Sequence, residues 1–497
     1  MAPASGPLLV GSPTLADVPE LSQRRRLLVL AICCMSLLIV GMDNTIVNVA
    51  LPSISTDLHA SLSGLQWTID AYILVLASLL MLSGSTADRL GRRRTFQVGL
   101  LIFTLGSLLC SIAPSLGWLI AFRMVQAVGG SMLDPVAMSI ITKVFTEPRE
   151  RARAIGVWGG VVGLSLGIGP VLGGVLIDTV GWRSIFWINI PIGLAAMVLA
   201  ARFVPESRAP RARRIDAFGQ LLVIVLLASL TYAIIDAPRA GWASPTTVGL
   251  LVLALGALGG LLIYEPRRTD PLIELRFFRS IPFSGATVIA IASFGAFAGF
   301  LFLNTLYLQD VRGFSALRAG LCTLPLAVTT LVFAPLSGRL VGARGPRIPL
   351  LTAGVAMGAG ALMLVELRAD TALVWVLASY AVFGFGFAMV NAPITNTAMA
   401  GMPREQAGVA AAVASTSRQI GTALGVAVLG SILNAGLAGP LRTGFAAASH
   451  PAWWIVAGCG LAVLGVGALT TGPWAVASAD RTARLFAEDQ RLARAAA

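Results

Sequence analysis

Almost the whole sequence is a succession of apolar runs, each about twenty residues long and separated by short polar turns. A helix rising about 1.5 Å per residue crosses a ~30 Å hydrocarbon core in one such run. Inside a bilayer the backbone must satisfy its own hydrogen bonds, as a helix or as a closed barrel, and barrel strands would alternate every second residue. These runs do not alternate. The expectation is an all-α membrane protein with fourteen transmembrane helices, at roughly 27–49, 68–87, 96–115, 117–139, 154–177, 185–203, 217–236, 246–264, 282–307, 317–338, 348–367, 372–395, 407–434 and 452–473. Of 497 residues 56% are hydrophobic and 12% charged, about half the charged share of a soluble chain.

The net charge of +13 is spread in short arginine clusters between the runs, a pattern that sets topology and argues against nucleic acid as a partner. With both termini on one side, 28 of the 36 Lys and Arg fall on that side and six on the other, while Arg123 and Arg418 lie inside spans. The bias places both termini in the cytoplasm of a cell whose membrane the chain crosses. Lys143 stands alone among the arginines, which fits a bacterium with a GC-rich genome. Cys33, Cys34, Cys110, Cys322 and Cys459 sit in apolar runs and read as small core residues. Arg24, Arg25 and Arg26 precede a run with no small-residue cleavage pattern, so that run reads as an uncleaved first span.

The runs divide into a cytoplasmic tail (1–26), a six-span group (27–203), two linking spans (217–264), a second six-span group (282–473) and a second tail (474–497). Residues 1–23 read as disordered. The stretch after Asp480 reads either as an amphipathic helix on the membrane surface or as a solvated tail. The loop 334–347 is a degraded echo of 84–94, with Gly338 where Asp88 would stand, as internal repeats of transporters show.

Charges inside spans are costly, and each is a candidate functional group. Asp43 lies in span 1 beside Asn44, Thr45 and Asn48, and desolvation penalises its charged form, which suits proton uptake and release. Asn44 and Asn48 share a helix face and are candidates to line a polar cavity. In span 2, Asp70 is either a group at the cavity mouth or a solvated helix-end charge, the second reading preferred, and Trp67 and Tyr72 are candidate interfacial anchors. Span 4 carries Arg123, Gln126 and Asp134, the last expected to pair with the loop 149–153. Asn304, Asn391 and neighbouring polar groups are cavity candidates in the second half. Phe294, Phe297, Phe300 and Phe302 read as a pocket lining or as lipid-facing packing, and His59 and His450 as residues of outer loops. No nucleotide-binding loop, metal cluster or nucleophile–base pair is visible, so neither an enzyme nor a cofactor is expected.

Several stretches resemble one family. Gly84, Asp88, Arg89, Gly91, Arg92 and Arg93 have the spacing of the loop between helices two and three of major facilitator superfamily transporters. The run D-N-T-I-V-N-V-A-L-P from Asp43 resembles the first span of its fourteen-span drug:proton antiporter branch. Arg123, Gln126 and Gly129 resemble the fourth-span motif, with Ala127 where glycine is usual. Gly156, Ser165, Gly169, Pro170, Gly173 and Gly174 resemble the antiporter motif of span 5, with serine replacing glycine at 165.

The resemblance implies two six-helix bundles with a midplane cavity, plus two extra central helices, rocking between inward- and outward-open states. It implies proton-driven export of hydrophobic or cationic small molecules, drugs or antibiotics, with Asp43, Arg123 and Asp70 in proton coupling and Tyr72 and Gln126 among the cavity residues. The loop 84–94 would act as a cytoplasmic gate, with Asp88 near the start of span 13 around Gly408, and Arg418 would tie to carbonyls or to Asp88. A monomer is expected, its partners being the solute, protons and the lipid bilayer. The rival readings are a dedicated exporter of one endogenous metabolite and a non-transporting sensor or scaffold.

Overall fold

A computed structural model describes residues 22–208, 216–268, 271–402 and 406–496. The described residues contain helices and no strands. The first half comprises α1 (Gln23–Leu58), α2 (Leu62–Leu90), α3 (Arg92–Ser111), α4 (Leu116–Val144), α5 (Pro148–Thr179), α6 (Ser184–Trp187) and α7 (Asn189–Phe203). Then come α8 (Ala217–Ala240) and α9 (Pro245–Tyr264). The second half comprises α10 (Ile281–Leu306), α11 (Ala316–Cys322), α12 (Leu324–Arg344), α13 (Arg347–Leu362), α14 (Leu373–Ala388), α15 (Asn391–Met399), α16 (Ala407–Gly436) and α17 (Leu441–Thr470), and α18 (Pro473–Ala496) closes the chain.

Among the described residues, thirteen helices are long and apolar enough to cross a membrane. The segment expected to span at 348–367 is the shorter α13, whose 16 residues rise roughly 24 Å. The runs expected at 185–203, 317–338 and 372–395 are each two helices in line, α6–α7, α11–α12 and α14–α15. The loop expected at 84–94 is also shorter: 84–90 finish α2, and only Gly91 separates it from α3. Its φ of +112° is a conformation that favours glycine. His450 lies within α17, not in a loop, because that helix starts at Leu441 and runs through Pro451. The tail expected after Asp480 is helical in α18, which packs Ala475, Ser478, Ala479, Thr482 and Phe486 inward. Of the tail 1–23 expected to be disordered, residues 1–21 lie outside the described residues, whereas Ser22 caps α1 and Gln23 opens it.

The two halves share one packing pattern. In the first, α1 packs on α5, α2 on α4, and α3 on α4 and α7; in the second, α10 packs on α16, α12 on α14, and α13 on α14 and α17. Glycines let these helices approach closely, as in other membrane bundles. The halves meet where α2 packs on α16 and α5 on α11 and α12, and α8 packs on both α2 and α16.

Hydrogen bonds between the halves gather near His59, which caps α1. Gln66 Nε2 donates to the carbonyls of Val426 and Ala427 at 3.2 and 2.9 Å, and Gln309 Nε2 to that of Val49 at 2.8 Å. Asp178, at the end of α5, accepts from the backbone N–H groups of Ala316 and Leu317 at 3.2 and 3.0 Å, where the positive end of α11 favours a carboxylate. Towards the opposite end, near Gly91, a Cβ added at Gly156, Gly159 or Gly160 of α5 would meet nothing within 4 Å.

Candidate functional site

Five helices of the first half bring polar side chains to one buried point. Asp43 on α1 is 0% exposed and Arg123 on α4 is 1% exposed, and they form a short ion pair through Arg123 Nη1 and Asp43 Oδ2. Gln126, one turn beyond Arg123, accepts from Arg123 Nη1 at 2.9 Å and donates to Asp43 Oδ1 at 2.8 Å. Asn189, which opens α7, donates to the same Oδ1 at 3.2 Å. Ser107 of α3 accepts from Gln126 at 2.9 Å and from Asn189 at 3.4 Å. Arg123 Nε donates to the carbonyl of Thr68 on α2 at 3.3 Å, and its guanidinium lies 4.1 Å from the centre of the Tyr72 ring.

This arrangement offsets much of the cost of burying two charges, since Asp43 accepts three hydrogen bonds and Arg123 has an aromatic face beside its ionic partner. Asp43 and Arg123 were expected as separate charges, and the structure makes them one unit. Tyr72 and Gln126, expected among the cavity residues, are both wholly buried inside this network in this arrangement, and Tyr72 is corrected from interfacial anchor. Ser107 and Asn189 were not anticipated, and the only sequence signal for them is a polar residue within an apolar run.

The α5 motif serves this site through backbone proximity. Gly169 faces Thr45 and Gly173 faces Ile46 on α1, while Gly174 lies against Ala316 and Leu317 of α11. Thr45 Oγ1 also lies within 3.4 Å of the carbonyl of Ser165. Pro170 presents its carbonyl to Gly320 of the second half. Thus α5 is wedged between the helix of Asp43 and the opposite half.

The remaining candidates are dispersed. Asn48 Nδ2 donates to the backbone carbonyl of half-buried Asn44 at 3.0 Å. Asn304 is buried and donates to the carbonyl of Phe300, so it does not line an open cavity; Asn391 is exposed. Asp70 is 0% exposed with both oxygens unpartnered, which overturns the solvated helix-end reading. Asp134 lies mid-helix in α4, and among the described residues it makes no ion pair with Arg149, Arg151 or Arg153, contrary to expectation. Arg418 ties to the hydroxyls of Thr395 and Ser415 at 2.6 and 3.0 Å, not to carbonyls or Asp88. Phe297 stacks on Phe387 and Phe300 on Phe383 at 4.1 and 4.2 Å, so these two are interior packing.

Around Gly91, Asp88 pairs with Arg92 of its own turn at 3.1 Å. Glu206, unanticipated, accepts from the backbone N–H groups of Arg93 and Arg94 at 3.1 and 3.3 Å and so caps α3. Gly84 faces open space, and Arg89 makes no hydrogen bond or ion pair among the described residues. The side chains around Gly408, where Asp88 was expected, lie outside the described residues.

Fold and site together define a multi-pass membrane transporter. The chain belongs to the Major Facilitator Superfamily, whose family model matches residues 33–426. It is 38% identical to the multidrug resistance protein Stp of Mycobacterium tuberculosis, over 84% of this chain and 78% of that protein. It is 37% identical to the tetracenomycin C resistance and export protein of Streptomyces glaucescens, over 80% and 74% of the two chains. A bacterial homologue of the human lysosomal transporter Spinster, solved in an inward-facing and occupied conformation, shares the fold with a TM-score of 0.64 at 18% identity, covering 93% of this chain and 98% of that one.

Proposed function

We propose that the protein exports hydrophobic or cationic small molecules, drugs or antibiotics, across the cell membrane in exchange for protons, by alternating access and as a monomer. The observation that carries this reading is the buried pair that Arg123 forms with Asp43 of α1, the helix that α5 presses against, a pair held by Gln126 and Asn189. In this arrangement Arg123 and Asp43 compensate each other, and protonation of Asp43 leaves Arg123 to Gln126, Thr68 and Tyr72. Two states of one network then bias two arrangements of the halves.

The basic clusters assign the Gly91 end to the cytoplasm and the His59 end to the outside. On that assignment, hydrogen bonds join the halves on the outside while Asp43 is ionised, the condition for loading solute from within. Protonation of Asp43 from outside accompanies release. Asp70 is a second proton-coupling candidate, and Asn44, Asn48 and Asn391 are candidates to meet the solute. Asp88, Arg89 and Arg92 form the inner gate when the halves close there. The names of the relatives support drug or antibiotic as the solute class. Those named for one antibiotic, such as the methylenomycin A resistance protein of Streptomyces coelicolor, favour export of a single compound as the second reading.

The test is reconstitution into liposomes with an imposed pH gradient, with Asp43→Asn alongside. Gradient-dependent solute movement that Asp43→Asn abolishes supports the proposal, and movement indifferent to both overturns it. A panel of solutes separates a broad exporter from a dedicated one.

A further inference from the structure

The segment between α9 and α10 makes two short turns, Glu265–Arg267 and Leu275–Arg279. They enclose a cavity of about 230 Å³ whose walls include Arg268, Arg276, Arg279, Glu265 and Glu274. Glu274 is neutralised by the Arg276 fork, at 2.8 and 3.1 Å, and the Arg276 guanidinium lies 4.8 Å from the Phe486 ring centre on α18. Glu265 is buried and accepts from the backbone N–H of Ile273 at 3.4 Å. Arg268 is exposed, 3.9 Å from Asp216. Arg279 is also exposed, and among the described residues it makes no hydrogen bond or ion pair. Ile263, two residues before Glu265, and Phe278, adjoining Arg279 in sequence, are 61% and 40% exposed.

We propose that this cavity holds the phosphate headgroup of an anionic phospholipid from the leaflet at the Gly91 end. A guanidinium fork matches phosphate oxygens. With Arg276 taken up by Glu274 and Arg268 near Asp216, exposed Arg279 is the arginine of these walls that has no ion-pair partner among the described residues. The exposed apolar side chains of Ile263 and Phe278 favour a lipid over free phosphate, because acyl chains cover them. The bound lipid links α9 to the second half and to α18, where Phe277 meets Phe486 at 5.7 Å and Ser478 accepts from the N–H of Ile281 at 3.0 Å. This inference rests on the bilayer-spanning fold alone, and its outcome is independent of the transport assay.

Native mass spectrometry of the full chain in mild detergent, with equimolar phosphatidylglycerol and phosphatidylcholine, tests it. The expected result is preferential retention of phosphatidylglycerol, weakened roughly fivefold by Arg279→Gln, the factor for about 1 kcal/mol per arginine near a charged lipid surface. Among the described residues Arg279 has no hydrogen-bond or ion-pair partner to lose, so that variant keeps the fold, and exposed Arg344→Gln serves as a control that leaves retention unchanged. Equal retention of the two lipids, or an unchanged preference in Arg279→Gln, overturns the proposal. Displacement of the lipid by millimolar inorganic phosphate also overturns it, by assigning the cavity to free phosphate.

Discussion

Thr45 Oγ1 lies 3.4 Å from the carbonyl oxygen of Ser165, across the seam where the helix of Asp43 packs on α5. Gly169, one turn beyond Ser165, faces the same hydroxyl and leaves no room for a Cβ. Gly169→Ala therefore pushes α1 from α5 and shifts Asp43 against its partners, lowering the initial transport rate about tenfold or more. Adding Thr45→Ala restores space and much of the rate. Rates at equal reconstituted amounts check this, and failure of the second substitution to rescue the first would show that the seam is not the cause.

The buried pair predicts non-additive stability. Asp43→Ala leaves an uncompensated Arg123 and costs about 3–5 kcal/mol, read as a lower unfolding temperature in detergent. The double variant Asp43→Ala/Arg123→Met loses less than the two single losses combined. Simple additivity would mean that the two charges do not stabilise each other.

At the His59 end, Asp178→Ala removes both acceptors at the start of α11. Losing such a cap costs about 1 kcal/mol, roughly a fivefold shift away from the joined arrangement. Ser55→Cys, which lines a cavity between α1, α2, α10 and α17, then reacts faster with a membrane-impermeant thiol reagent. An unchanged or slower reaction contradicts the assignment of this end as the closed outer gate.

Gly91→Ala meets two obstacles, a φ of +112° and the Glu206 carboxylate, which lies 2.6 Å from the added Cβ. A loss of stability on the order of 1–2 kcal/mol is expected. Glu206→Ala removes the contact but not the backbone strain, so the double variant remains below wild type in unfolding temperature.

The spans were legible because apolar runs of bilayer length have few other solutions, and the family because Gly84–Arg93 and the α5 glycines keep its spacing. Asp43 and Arg123 were each legible as costly charges. Their contact was not, because eighty residues separate them and helical periodicity gives a face without naming the neighbour. Asp134 was misjudged for the same reason. His450 was misplaced because Ser449 and Pro451 resemble a loop, whereas α17 continues through them. Glu206 carried no signal, since only the folded turn brings its carboxylate to the start of α3.

The most direct measurement is solute flux in sealed proteoliposomes under an imposed pH gradient, comparing wild type with Asp43→Asn at matched density. The predicted result is flux that follows the gradient in wild type and loses that dependence in the variant. Flux in the variant that tracks the gradient as strongly as wild type would contradict the role given to Asp43.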